Sequence, residues 1–205
     1  MKIYWSKKRL LVLCMALTAV LGVTAVQAGA VDVDLKVKGK GVFCLAPAAR
    51  RALAANGVTL EPIAPATGSG DCVTLPGTGT LKPDLTGGEL PLEGGMRFSG
   101  AGHRLEATHL VIHVRLGEGS TSADIAQDGA APTGVSLFHY PIARSSVSLT
   151  PTSVTVKDTP LALTAPGTAA FTQAFGSSPT SDGNPLFLFD GNAEIINPFA
   201  PLPRS

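Results

Sequence analysis

Val31-Asp32-Val33-Asp34-Leu35-Lys36-Val37-Lys38 alternates an apolar with a charged residue at every step. A period of two is the pattern of a β-strand with one buried and one wetted face. The residues that follow keep the same character. Short runs of Val, Leu, Ile and Thr are separated by Gly and Pro, which number 23 and 16 in 205 residues, and only 15% of the chain is charged. Short strands joined by many turns predict a mainly β fold.

The predicted strands after Val31–Lys38 are Val42–Leu45, Val58–Ala64 and Cys72–Leu75, with a turn over Ala66–Asp71. Gly87-Gly88 and Gly94-Gly95 bracket Glu89–Glu93, as hairpin turns would. Met96–Ser99, a long Arg104–Leu116, Thr121–Gln127 and Val135–Tyr140 follow. Val147–Leu149, Val154–Val156, Leu161–Leu163, Leu186–Phe189 and Ala193–Ile196 complete the set.

Two segments break this rhythm. Pro47–Asn56 predicts a short helix with proline in its first turn and Gly57 at its close. Ala165–Phe175 predicts a second, capped by Thr164 and ended by Gly176. The segments echo each other. In Leu45–Gly57 and Leu163–Gly176 a leading Leu precedes a bulky residue, Leu53 or Phe171, by the same interval, and a glycine stop follows. The repeat predicts a strand, then a short amphipathic helix plugging an open end of the sheets.

The start of the chain predicts export. Lys2, Lys7, Lys8 and Arg9 precede an uncharged run from Leu10 to Val26, and Val26-Gln27-Ala28 offers a small-residue cleavage site. That order is a secretory signal peptide over residues 1–28. An uncleaved anchor is the competing reading, and Thr18, Gly22 and Thr24 dilute the run against it. The remaining chain suits one domain over residues 29–196, with a flexible C-terminal tail over 197–205. Four of the sixteen basic residues go with the leader and none of the fifteen acidic ones, which leaves twelve against fifteen. No basic stripe remains, so a nucleic-acid partner is not expected, nor a membrane span after cleavage.

Cys44 and Cys72 remain once the leader is removed. Two cysteines in an exported protein point to one disulfide. A reactive thiol is the alternative; the chain has no CxxC, and a free thiolate outside the cell is open to oxidation.

Catalytic and metal motifs are sparse. His109 and His113 suit one metal only on a helix. Their neighbours favour a strand, where residues four apart lie about 13 Å from each other, too far for one zinc ion. Asp124 and Asp128 are spaced like part of a calcium loop without its other acidic ligands. No GxSxG, HExxH or P-loop is present. Neither a catalytic residue nor a metal site is predicted. The only tyrosine beyond the leader is Tyr140, beside His139.

Gly94-Gly-Met-Arg-Phe-Ser-Gly100 leads into a long strand, followed by Thr121-Ser-Ala-Asp-Ile125 and then Leu161–Gly176. This order resembles the HtaA-type domain of secreted and cell-surface proteins from Gram-positive actinobacteria. Leu45–Leu53 with Gly94-Gly95 resembles related secreted proteins. The resemblance implies an antiparallel β-sandwich with short helices, and HtaA domains proper bind haem. Family haem sites take a tyrosine from an N-terminal aromatic segment and a histidine after Phe-x-Gly. Here Val31–Val42 holds neither Trp nor Tyr, and Phe98-Ser99-Gly100 is followed by Ala101, with His103 two places later. His103 and Tyr140 are the remaining haem candidates.

Together these readings predict an antiparallel β-sandwich with two short α-helices and a Cys44–Cys72 disulfide. Its expected role is non-enzymatic binding of a protein or small-molecule ligand, secreted or at the cell envelope. No resident cofactor is expected on the leading reading; haem is the alternative, and a structural surface component is the third.

Overall fold

The computed structural model describes residues 34–196. The leader over residues 1–28, the first three residues of the opening alternation and the tail over 197–205 lie outside the described residues. The described part of that alternation continues without a break as β1 (Leu35–Leu45). Val37, Gly41 and Phe43 point inward, while Lys36, Lys38 and Lys40 stay exposed. Helix α1 (Pro47–Ala55) follows, then β2 (Thr59–Ile63), β3 (Thr67–Ser69), β4 (Cys72–Leu81), β5 (Gly88–Pro91) and β6 (Gly95–Gly100). Next come β7 (His103–His113), β8 (Gly119–Gln127) and β9 (Thr133–Tyr140). A 3-10 turn (Arg144–Ser146), β10 (Val147–Leu149), β11 (Ser153–Leu163), α2 (Ala165–Phe175) and β12 (Pro185–Ile195) complete the fold.

The strands do not form the expected sandwich. The order β7-β5-β4-β1-β12-β11-β9-β8 returns to β7 through a direct β7–β8 pairing, which closes an eight-stranded antiparallel barrel. β2 and β6 extend from β7, while β3 pairs with β4 and β10 with β11. Inward and outward residues alternate along a strand in a sandwich and in a barrel alike. Local pattern therefore could not separate the two. Closure rests on Leu105–His113 of β7 finding Ser120–Gln127 of β8.

Several predicted strand pairs are single strands. β1 runs through Gly39 and Gly41 and β12 through Gly191, and the single predicted strand Cys72–Leu75 extends as β4 through Pro76, Gly77 and Gly79. These glycines lie on paired strands, with Gly41 opposite Gly191 and Gly39 opposite Gly77. A side chain at Gly39 would run into the Asn192 carbonyl, and one at Gly79 into the Glu89 carbonyl. Glycine here admits close strand approach in a coiled sheet rather than ending a strand.

Parity breaks in two strands. In β7, Leu105 and Ala107 face the core, and then Leu110 and Ile112 do. The change is a bulge between Thr108 and Val111, where His109 takes a φ of 49°. It falls where β7 exchanges β6 for β5 along one edge. In β11 a bulge between Val156 and Thr159 shifts the inward set from Val154 to Thr159, Leu161 and Leu163. Asp158 sits there at a φ of 48°, its amide donating to Asp190 Oδ1 at 2.8 Å. One extra residue turns every following side chain to the opposite face.

The two predicted helices are present, and both feed one core cluster. α1 contributes Ala49 and Leu53, and α2 contributes Phe171 and Ala174. Thr164 Oγ1 accepts from the Gly167 amide at 3.2 Å, and Gly176 closes α2 at a φ of 78°. The main cluster centres on phenylalanine. Phe187 meets Phe43 and Phe138 edge-on at ring-centre separations of 5.9 and 5.7 Å, and Phe43 meets Phe189 at 4.9 Å. Such contacts add to plain burial. A smaller cluster of Val37, Leu81, Leu85, Val154 and Ala193 lies toward the other end of the barrel.

Cys44 and Cys72 are joined as a disulfide, directly opposite each other on β1 and β4 with Cα atoms 4.0 Å apart. The link ties the end of β1, where α1 begins, across the α1–β3 excursion. We expect the Cys44→Ala/Cys72→Ala double variant to lose about 3–4 kcal/mol of unfolding free energy, from the loop entropy restored to the unfolded chain. Urea unfolding of both proteins measures it, and a loss below about 1 kcal/mol would mean that the link constrains little.

Candidate functional site

A cavity of about 100 Å³ lies inside the barrel where the two core clusters meet. β1 gives it Val37, Gly39 and Gly41, and β12 gives it Phe189, Gly191 and Ala193. Leu81 and Leu90, Ile112 and Val114, and Val154 and Val156 form most of the remaining wall. The space a Cβ would need at the β1 glycines is already taken, by the Asn192 carbonyl and Ala193 at Gly39 and by the Phe189 ring at Gly41.

Two buried polar side chains, Tyr140 and Thr159, line this largely apolar chamber, and Ser146 and Asn192 border it. Tyr140 lies at the end of β9, 6% exposed. Its hydroxyl donates to the Ser120 carbonyl at 2.9 Å and accepts from Thr121 Oγ1 at 3.4 Å. Burial pushes the phenol up to about 12, against the opposing pull of the Thr121 hydroxyl. Thr159 is the second. It is 5% exposed, it lines the cavity, and its Oγ1 has no hydrogen-bond partner. Buried hydroxyls are normally paired, because a lost partner costs about 1–3 kcal/mol.

The structure does not bring the two haem candidates together. His103 begins β7 at an exposed turn, with Nδ1 3.0 Å from Asp128 Oδ2. That imidazole and the Arg104 amide hold the Asp128 carboxyl below the usual carboxylate range. Along β8, Gln127 pairs beside this turn and Gly119 pairs with Tyr140. The two ends of that nine-residue strand are about 26 Å apart. One haem iron cannot take both side chains as axial ligands.

The other histidines have local partners. His109 Nδ1 is 3.1 Å from Asp124 Oδ2, and His113 Nε2 is 3.0 Å from Ser122 Oγ. His109 and His113 thus bond to separate groups along β7, and Asp124 and Asp128 bond to different histidines. Among the described residues no three potential ligands gather into a metal site. His139 faces outward onto an open groove beside α2, with Thr168, Thr172, Gln173 and Asp182.

Thr159 was not among the predicted site residues, yet its signal is present in the sequence. Val154 and Val156 occupy even positions, while Leu161 and Leu163 occupy odd ones. If both pairs face one core, an extra residue must lie between them.

No protein-family model and no curated protein matches the chain. Solved structures do. The C-terminal domain of HtaA from Corynebacterium glutamicum superposes with a TM-score of 0.59 at 16% identity, covering 79% of this chain and 99% of that one. The N-terminal domain of the same protein gives 0.54 at 13%, covering 78% and 98%. The heme binding protein HtaB from that organism gives 0.49 at 14%, covering 78% and 94%. The chain therefore has an HtaA-type fold.

Two measurements test the chamber. The Tyr140 phenol is easier to keep protonated in the fold than in the unfolded chain. Its contribution is complete below about pH 10 and is lost as pH rises toward 12, about 2–3 kcal/mol in all. Absorbance titration should show tyrosinate forming well above pH 10 and together with unfolding, and Tyr140→Phe should remove that share of the alkaline instability. An ordinary midpoint near 10 in folded protein would contradict the burial. Thr159→Val keeps the shape and removes the orphaned hydroxyl, so stability should rise by about 1–2 kcal/mol. A loss on urea unfolding would mean that the hydroxyl is satisfied in solution.

Proposed function

We propose that this HtaA-type barrel is an exported, non-enzymatic binding protein, secreted or held at the cell envelope. The observation that carries the reading is the fold shared with the two HtaA domains over nearly their whole length. Two features support export: the basic-then-apolar leader of the sequence, and a Cys44–Cys72 disulfide of the kind that persists in oxidising compartments. The binding partner is a protein or a small molecule. A robust hydrolytic activity abolished by one point substitution would overturn the non-enzymatic reading.

Haem is the second reading, and it rests on the sequence resemblance to HtaA-type domains. The side chains present fit it poorly. Tyr140 would have to give up its bond to the Ser120 carbonyl and lose its proton before it could ligate iron as phenolate. His103 is already bonded to Asp128. A chamber of about 100 Å³ is also far too small for a porphyrin. Haem held by this chain would therefore sit outside the barrel and use one of the two residues alone. Titration of purified protein with haemin, beside His103→Ala and Tyr140→Phe, tests this through the Soret band. We expect no saturable one-to-one shift. A saturable shift lost in one variant would establish haem binding and identify the ligand.

A further inference from the structure

We infer that the chamber inside the barrel is a binding site for a small, uncharged, mainly apolar molecule bearing one hydroxyl or carbonyl group, which Thr159 Oγ1 meets. The inference rests on the binding role proposed above and gives it a location.

Thr159 carries the argument. Its hydroxyl is buried and without a partner, and it lies just after the β11 bulge between Val156 and Thr159. Regular, unbulged alternation over the same residues would place Asp158 on the core side in line with Val154 and Val156. The bulge instead turns Thr159 inward and leaves Asp158 exposed, its amide held by Asp190. Bulges commonly re-aim a side chain next to a site. Tyr140 does not fill this role, because its hydroxyl is already used by Ser120 and Thr121.

The wall defines the rest of the ligand. It is built mainly from Val, Leu, Ile, Phe, Ala and Gly, with Ser146 at its border and no carboxylate, and the Lys40 and Asn192 that adjoin it are exposed residues of the outer faces of β1 and β12. A charged ligand would lose its hydration without an opposite charge to meet. The volume is of the order that accommodates a benzene-sized molecule; an apolar cavity of about 150 Å³ takes up benzene. One hydrogen-bonding group on such a ligand would satisfy Thr159, and the remainder would fill space that otherwise lacks contacts.

Cyclohexanol and cyclohexane are matched probes of this chemistry. Each is titrated into purified protein while methyl NMR signals of Leu81, Leu90, Ile112 and Val154 are followed. Cyclohexanol should produce saturable shifts of these methyls. Thr159→Val should weaken cyclohexanol five- to tenfold and leave cyclohexane unchanged, since the substitution removes the hydroxyl and keeps the shape. Val156→Phe, which fills the chamber from a partly buried position, should abolish both. The inference is overturned if cyclohexanol gives no saturable shift, or if Thr159→Val binds both probes like the unaltered protein. A protein that shifts the Soret band of haemin but ignores cyclohexanol would also overturn the chamber site, while leaving the broader binding role standing.

Discussion

The pairing of β1 with β12 holds the barrel together. It runs in register from Val37 opposite Ile195 to Leu45 opposite Phe187, and so joins the two ends of the described chain. Its inward residues build both halves of the interior. Phe43, Phe187 and Phe189 form the aromatic centre of the larger cluster, and Val37 and Ala193 belong to the smaller one. Between them lie Gly39, Gly41 and Gly191, at the level of the chamber. A contact between segments so distant in sequence carries a large loop-closure cost, which the apolar area it buries must exceed. The Cys44–Cys72 link fixes the neighbouring β1–β4 pair and shares that task.

The ends of the barrel differ because their side chains differ. Both helices supply bulky groups to one cluster, through Leu53 from α1 and Phe171 from α2. The interior is filled there by rings packed edge to face. Toward the other cluster the inward positions of β1, β4 and β12 carry glycine, and Val, Leu and Ala surround them. Small residues on adjacent strands let the sheet coil closely, with neighbouring backbone or the Phe189 ring where their side chains would be.

The two bulges show how a single inserted residue governs chemistry. In β7 the insertion at His109 keeps Leu110 and Ile112 in the core after Leu105 and Ala107, and it leaves His109 and His113 with outer-face partners. In β11 the insertion at Asp158 exchanges an acid for Thr159 on the inner face. An unpaired carboxylate in that apolar interior would be far more costly than an unpaired hydroxyl.

The sequence by itself determined the β class, both helices with their glycine stops, the Thr164 cap of the second, the cysteine pair and the strand character of the segment that holds His109 and His113. Those features rest on local periodicity and capping chemistry, which neighbouring residues specify. It also carried the parity breaks at 107–110 and 156–161, which show as apolar residues changing from odd to even positions or the reverse. Only the tertiary structure decided that the strands close into a barrel, that glycine-interrupted runs are continuous strands, and that His103 and Tyr140 lie far apart. It alone placed Thr159 in a chamber with Tyr140. The reason is that closure and chamber arise from pairings between segments tens to more than a hundred residues apart, and alternation along one strand is blind to which strand will lie beside it.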